Sequence, residues 1–270
     1  MNSLSPVENT LLGVVSGTEV LLVVQPMIFW KNAAQQGLAF TADPRTVYRG
    51  LGASAAAQAL ITGTQFFSTG FVKRALTGGE NRALTHYEMV GAAAAGGGLS
   101  GLICGPLELM MIQQQRHGGS LGSTVSRLVN GVGGVGTFSR GIVSSVIREG
   151  AYCCGYLGIA PALSRFFEEK LTGKVADGES SGGAKARVAG ALVGGIFAGV
   201  VSHPFDTIKT CLQGDPEKKT FGGMLDAVRK TGGRGLYRGV MWRSSIIVTA
   251  TLLINFFKDA SAPLMFPSKF

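Results

Sequence analysis

Three prolines set the frame for this chain. Pro26, Pro106 and Pro204 each close a long apolar run, and aligning the sequence on them brings distant positions into register. Nine residues before each proline stands a glycine (Gly17, Gly97, Gly195), and nine after it a glutamine (Gln35, Gln115, Gln213). Further on comes an aromatic, a basic residue and a glycine, in Tyr48-Arg49-Gly50 and Tyr237-Arg238-Gly239, with the looser Phe138-Ser139-Arg140-Gly141 between them. Self-similarity at a fixed period marks a tandem repeat of one supersecondary unit. The repeats are expected at 1–80, 81–175 and 176–270, the first with a shortened segment after its proline: 24 residues separate Pro26 from Gly50, against 35 in the other two copies. In the third copy the longer segment holds an amphipathic stretch from Phe221 to Lys230 that reads as a short surface helix; the first copy has little room for one.

The apolar runs are long enough to cross a hydrocarbon core of about 30 Å as helices. Six are expected, near Leu11 to Trp30, Leu51 to Val72, Met89 to Ile112, Ile142 to Leu163, Val188 to Ile208 and Val240 to Phe257. Composition agrees: 46% of the 270 residues are hydrophobic and 15% charged, where soluble domains carry about a quarter charged residues. The 41 glycines show no collagen period and suit close helix packing in lipid, as do the ladders Gly13 and Gly17, Gly97 and Gly101, Gly195 and Gly199. The fold class is therefore an all-α membrane protein of six transmembrane helices in three two-helix repeats with pseudo-threefold symmetry. The segments 31–50, 113–140 and 209–239 are basic, which places them on the side from which positive charge is not translocated.

Other classes find little support. A net charge of +9 would suit nucleic acid, but the sequence has no nucleic-acid module and no long basic tract, so no such partner is expected. The four cysteines lack paired spacing, which argues against a disulfide framework or a zinc site. His86, His117 and His203 are too dispersed for a metal or catalytic cluster, and the glycines around Gly97 lie inside an apolar run, not at a strand-to-helix turn. Neither an enzyme nor a bound cofactor is expected. The polar first ten residues show no leader, so any organelle address is expected to be internal.

Around the prolines the sequence resembles the mitochondrial carrier family, whose repeats carry proline-x-acid-x-x-base at the end of each odd-numbered helix. The third copy, Pro204-Phe205-Asp206-Thr207-Ile208-Lys209, has the whole motif. The first, Pro26-Met27-Ile28-Phe29-Trp30-Lys31, lacks the acid, and the second, Pro106-Leu107-Glu108-Leu109-Met110-Met111, lacks the base. In the family each acid pairs with the base of the following repeat, and these pairs close the matrix side. The resemblance thus implies Glu108 with Lys209, Asp206 with Lys31, and Ile28 opposite Met111. The two missing charges are partners, and replacing both members of a buried pair by apolar groups is often neutral, whereas losing one strands a charge at about 3 to 5 kcal/mol. Gln35, Gln115 and Gln213 stand beside this gate.

The resemblance also implies contact points about seven residues after each aromatic-basic-glycine element: Ala57, Arg148 with Glu149 beside it, and Ile246. An Arg-Glu doublet inside an apolar helix faces a cavity or a partner. It resembles the doublet of carriers for amino acids and other zwitterions, although structural bonds between helices would use the same two residues. Arg243 and Glu19 are further charges within apolar runs, Arg243 being equally suited to snorkel to the surface. Tyr48, Arg49, Gly50, Arg140, Gly141, Tyr237, Arg238 and Gly239 stand at helix starts, whose free amides bind phosphate, and the family holds cardiolipin there. Interfacial anchoring is the plainer reading of the same residues. The family's opposite gate, an aromatic followed by acid-x-x-base, lacks the acid and the base after Phe71, Tyr156 and Phe257, which biases the chain toward a matrix-closed, cytosol-open state.

The expected function is transport of a small solute across the mitochondrial inner membrane by alternating access, the substrate being an amino acid or another zwitterionic or carboxylate metabolite. The alternative is a carrier-derived structural subunit of a larger membrane complex.

Overall fold

A computed structural model describes residues 6–78, 82, 84–131, 133–172, 181–216, 222–223, 225 and 233–267. Three long helices carry the repeated prolines in their interiors: α1 (Pro6–Gln36) with Pro26, α4 (His86–His117) with Pro106, and α8 (Ser181–Gly214) with Pro204. Their companions are α3 (Leu51–Leu76), the pair α6 (Ile142–Cys153) and α7 (Ala160–Thr172), and α9 (Val240–Met265). Short helices α2 (Pro44–Val47) and α5 (Leu121–Asn130) lie in the first two connections. The four-residue α2 against the ten-residue α5 reflects the shorter first segment. The Phe221 to Lys230 stretch lies almost wholly outside the described residues. No strand occurs among the described residues.

Interior proline removes one backbone donor and frees the carbonyl four residues back. In α1 that carbonyl is Leu22, and it accepts a hydrogen bond from the Tyr48 hydroxyl at 3.0 Å. The residue before the proline also reaches toward the aromatic-basic-glycine element: Gln25 donates to the Arg49 carbonyl at 3.4 Å, and His203 meets the Arg238 carbonyl at 2.9 Å. The middle copy has Gly105 in that place and cannot. There Gln213 of α8 donates to the carbonyls of both Gly105 and Arg140, at 3.2 and 3.4 Å.

Gly50, Gly141 and Gly239 have φ of +78°, +78° and +81°, and each opens a helix, α3, α6 and α9 in turn. Each also sits against a proline helix: Gly50 against Met111, Gly141 against Gln213, and Gly239 against Lys31. A side chain there would strain the backbone and meet a neighbour at once.

Polarity is partitioned inside out. The largest fully buried side chains include Lys209, His203, Gln25, Gln213, Asn32 and Asp206, while Leu22, Val23, Leu102, Ile103, Phe197 and Val201 face outward. Soluble proteins seldom bury such residues; a chain solvated by lipid gains by doing so. Among the described residues four helical segments are long and apolar enough to cross a membrane: Leu11–Gln36, Tyr87–His117, Val188–Gly214 and Arg234–Met265. The remaining two apolar runs form helices but fall short of that measure. α6 has only 12 residues, and Gln58 and Gln65 of α3, like the Arg148–Glu149 doublet of α6, line one cavity.

Ile142 to Leu163 also departs from a single regular helix. Between α6 and α7 the chain makes a π-helical turn over Cys154–Ile159, within which Gly155 lies directly against Ala198 of α8. Such turns often mark functional sites, and this one adjoins Tyr152 and Tyr156, whose rings stack at 6.0 Å.

The glycine ladders behave differently from one another. Gly97 and Gly101 touch the backbone of α6 at Glu149 and Ser145, and Gly195 and Gly199 meet Ile247 of α9. Gly13 and Gly17 have nothing within 4 Å among the described residues where a side chain would begin, so the first ladder is not a close-packing seam there. The reason is the neighbour: Gly17 borders the cavity instead of a helix backbone.

Candidate functional site

A cavity of about 410 Å3 lies between α1, α3, α4, α6, α8 and α9. Its charged lining comes from helices distant in sequence. Asp206, fully buried on α8, receives Lys31 of α1 at 2.8 Å and Arg243 of α9 at 3.2 Å, with Lys209 and Arg148 each at 3.6 Å. Glu108 on α4 receives Lys209 at 3.0 Å and Arg148 of α6 at 2.6 Å. Arg148 also pairs with its neighbour Glu149 at 2.5 Å. Seven charges thus form one network joining five helices.

Hydrogen bonds brace it. Gln35 donates to Asp206 Oδ2 at 2.8 Å, Ser145 to Glu108 at 3.3 Å, and Gln65 to Glu149 Oε2 at 3.2 Å. Arg243 donates to the Ser202 hydroxyl at 2.8 Å and lies 5.8 Å from the Tyr152 ring centre. A buried charge carries a desolvation cost of several kcal/mol that pairing must offset, and bonds of this kind make the offset possible.

Ile28 packs against the small cluster of Ala53, Met111 and Ile112. No charge stands at either of the two substituted positions. One turn on, Asn32 donates to Gln115 Oε1 at 2.7 Å, so a neutral amide pair lies beside the apolar contact. Gln213 is turned away from the ions, toward Gly105 and Arg140 as described above.

Of the expected contact points, Ala57, Arg148, Glu149, Ile246 and Arg243 all line the cavity. Arg243 is buried and does not snorkel to the surface, because Asp206 and Ser202 hold it inside. Arg148 is drawn down into the ion network instead of standing free. Glu19 is not among the cavity residues; both its oxygens accept from the Ser261 hydroxyl, at 2.9 and 3.0 Å. Gln58, Gln65 and Tyr152 are cavity residues that the sequence reading passed over. Gln58 and Gln65 are seven apart, two helical turns on one face, and that spacing within an apolar run was the available signal.

The helix starts at Tyr48-Arg49-Gly50, Arg140-Gly141 and Tyr237-Arg238-Gly239 are not among the residues that line this cavity. A second cavity of about 510 Å3 adjoins the middle one, lined by Gly133, Thr137, Arg140, Gly141, Val143 and Leu212 among others. Tyr48 and Tyr237 expose much of their rings, while the Tyr48 hydroxyl is spent on Leu22 and the Tyr237 ring stacks on His203 at 6.1 Å.

The family model for mitochondrial carrier protein matches residues 182–267, the stretch that holds α8 and α9. Over 168 residues the chain is 31% identical to "Mitochondrial substrate carrier family protein X" of Dictyostelium discoideum, covering 57% of this chain and 52% of that protein. Over 159 residues it is 29% identical to "Mitochondrial uncoupling protein 3" of Arabidopsis thaliana, covering 50% and 49% respectively. By these matches the chain is similar to mitochondrial carriers, at modest identity and over part of its length. It spans about half the length of these two curated relatives. Within the family-model match lie Pro204, Asp206, Lys209 and Arg243. The copies that have lost a charge fall outside that match.

Proposed function

We propose that the chain is a divergent mitochondrial carrier that moves a small solute across the mitochondrial inner membrane, as a multi-pass protein working by alternating access. The observation that carries the reading is the cavity closed at one end by Lys31, Glu108, Asp206 and Lys209, which tie α1, α4 and α8 together beyond their prolines. Those four residues act as the gate, with Ile28 against Met111 in place of a third pair. Gln35 braces one pair, Gln115 joins Asn32 at the neutral seam, and Gln213 holds the middle helix start. Three repeats, 1–80, 81–175 and 176–270, supply two membrane helices each. The cyclic contacts of Gly50, Gly141 and Gly239 with the next proline helix support that arrangement. The gate end faces the matrix, in keeping with its basic connections.

Arg148, Glu149, Arg243, Ala57 and Ile246 bind the substrate, an amino acid or another zwitterionic or carboxylate metabolite. Because Arg148 and Arg243 already hold the gate carboxylates, substrate that competes for them loosens the gate as it binds. That coupling is what alternating access needs, since a ligand shifts an equilibrium only by its differential affinity for the two states. Cardiolipin phosphate occupies the helix starts at Arg49, Arg140 and Arg238.

The test is uptake of a panel of labelled solutes into liposomes holding the purified chain, with Arg148→Ala alongside. Saturable uptake lost in the variant supports the proposal; saturable uptake indifferent to it removes Arg148 from the site. No uptake of any solute, with the chain found stoichiometrically in a purified membrane complex, would favour a structural subunit.

A further inference from the structure

Charge does not balance in the buried network. Among its described residues four cations, Lys31, Arg148, Lys209 and Arg243, face three anions, Glu108, Glu149 and Asp206. An excess positive charge held away from water is costly, and a bound anion relieves it. The two carboxylates that line the cavity, by contrast, are committed. Glu149 Oε1 meets Arg148 and Oε2 meets Gln65, while Glu108 serves Arg148, Lys209 and Ser145. An ammonium group entering the cavity would have to displace one of these partners. An anionic group competes with Glu108 and Asp206 for Arg148 and Arg243, but it also neutralises the one excess cation.

The cavity is also two-faced. Arg148, Glu149 and Tyr152 of α6 stand on its polar side, whereas α1 and α9 present Val20, Leu21, Val24, Ile246, Ala250 and Ile254, which pack together. A fully polar metabolite would leave that aliphatic wall wet. At about 410 Å3 the space lies toward the lower end of ligand sites, which run roughly from 300 to 1,000 Å3.

We infer that the ligand of this cavity is an organic anion of single net charge with a branched or extended apolar body, its carboxylate at the Arg148 and Arg243 end and its body against α1 and α9. This narrows the substrate class of the transport reading to the carboxylates and rests on the same cavity, but binding is testable apart from transport.

The experiment uses the full purified chain in detergent, with ligand affinity read from the concentration dependence of thermal stabilisation. The probes are 4-methyl-2-oxopentanoate, pyruvate, leucine and the dianion isobutylmalonate. Burial of apolar carbon is worth about fourfold in affinity per methylene. The branched oxo acid is therefore expected to bind roughly tenfold or more tighter than pyruvate, and leucine to bind more weakly than the oxo acid. Ile254→Asn should reduce the preference for the branched oxo acid over pyruvate.

Charge is tested by Glu149→Gln, a near-isosteric change that keeps an acceptor for Gln65 and raises the excess from one to two. It should shift preference toward isobutylmalonate by roughly a factor of ten, the effect of about 1.4 kcal/mol. The double variant Arg148→Gln with Glu149→Gln removes a balanced pair and should retain the monoanion preference, which separates charge from fold. Leucine binding as tightly as the oxo acid, or an unchanged charge preference in Glu149→Gln, overturns the inference. Saturable uptake of leucine but not of the oxo acid keeps transport and overturns the inference. The expected binding pattern without uptake of any solute supports the inference and overturns transport.

Discussion

The seam between α1 and α8 and the seam between α1 and α4 solve the same closure problem with opposite chemistry. At the first, Lys31 meets Asp206 at 2.8 Å and Gln35 adds a bond to the same carboxylate oxygen. At the second, Ile28 packs by Met111, and the nearest polar link is the neutral pair of Asn32 and Gln115. A buried ion pair must repay a large desolvation cost, while an apolar contact has none, so neither seam is automatically the stronger. What differs is fragility. Removing one member of the ionic seam strands a charge; changing the apolar seam leaves only a packing defect.

The largest expected effect is therefore at Asp206. Asp206→Asn keeps the shape but leaves Lys31 and Arg243 without their carboxylate and raises the positive excess from one to two. We expect a loss of about 3 to 5 kcal/mol, measured as a fall in the unfolding temperature in detergent. Restoration by Lys31→Met in the same chain would show that the charge, not the shape, is responsible. A loss below about 1 kcal/mol, typical of exposed pairs, would mean that water reaches this carboxylate and the comparison of the seams fails.

Next comes the attempt to charge the apolar seam. Met111→Lys adds a second excess cation beside the network and should destabilise by several kcal/mol, since a buried ion without a partner costs at least that. Ile28→Asp supplied together with it rebuilds a third pair and should recover most of the loss. Their coupling in a double-mutant cycle is expected at about 1.5 to 3 kcal/mol or more, within the range for residues in one ion network. Additive losses would show that the seam is closed to charge for steric reasons.

The pairing at the ionic seam was expected through the family resemblance: fixed offsets from the prolines align the charges of the copies, and the family's wiring implies which acid meets which base. The arrival of Arg148 and Arg243 at Glu108 and Asp206 was not. Those contacts span α6 to α4 and α9 to α8, and their length depends on how closely the helices approach, which Gly97, Gly101 and Gly199 set. Composition placed Gly13 and Gly17 in the same class as those glycines, and only the neighbour distinguishes them. The π-helical turn at Cys154–Ile159 had no periodic signal either, because one turn of altered winding inside an apolar run leaves the pattern of apolar residues intact.

Smaller in expected size is the brace on the ionic seam. Gln35→Leu removes the Nε2 donor 2.8 Å from Asp206 Oδ2 without touching any charge. A hydrogen bond to a charged group contributes about 1.5 to 3 kcal/mol, and Lys31 remains on the same oxygen, so the loss should lie at the lower end. Thermal unfolding in detergent reads it, and a cost equal to that of Asp206→Asn would show that the brace and the pair act as one unit.

The smallest effect is expected where both partners of the neutral pair change together. Asn32 is buried and donates to Gln115 Oε1 at 2.7 Å, yet Asn32 Oδ1 and Gln115 Nε2 find no hydrogen-bond partner among the described residues. Gln115→Leu alone strands the Asn32 donor, a loss of about 1 to 3 kcal/mol. Asn32→Leu with Gln115→Leu removes the bond and both orphaned groups at once, and replacing both partners by apolar groups of similar shape is close to neutral. The double variant should thus be more stable than the single one, within about 1 kcal/mol of the parent, when unfolding is followed in detergent. If it is instead the less stable of the two, the amide pair contributes more than its one hydrogen bond, and the second seam is as dependent on polar partners as the first.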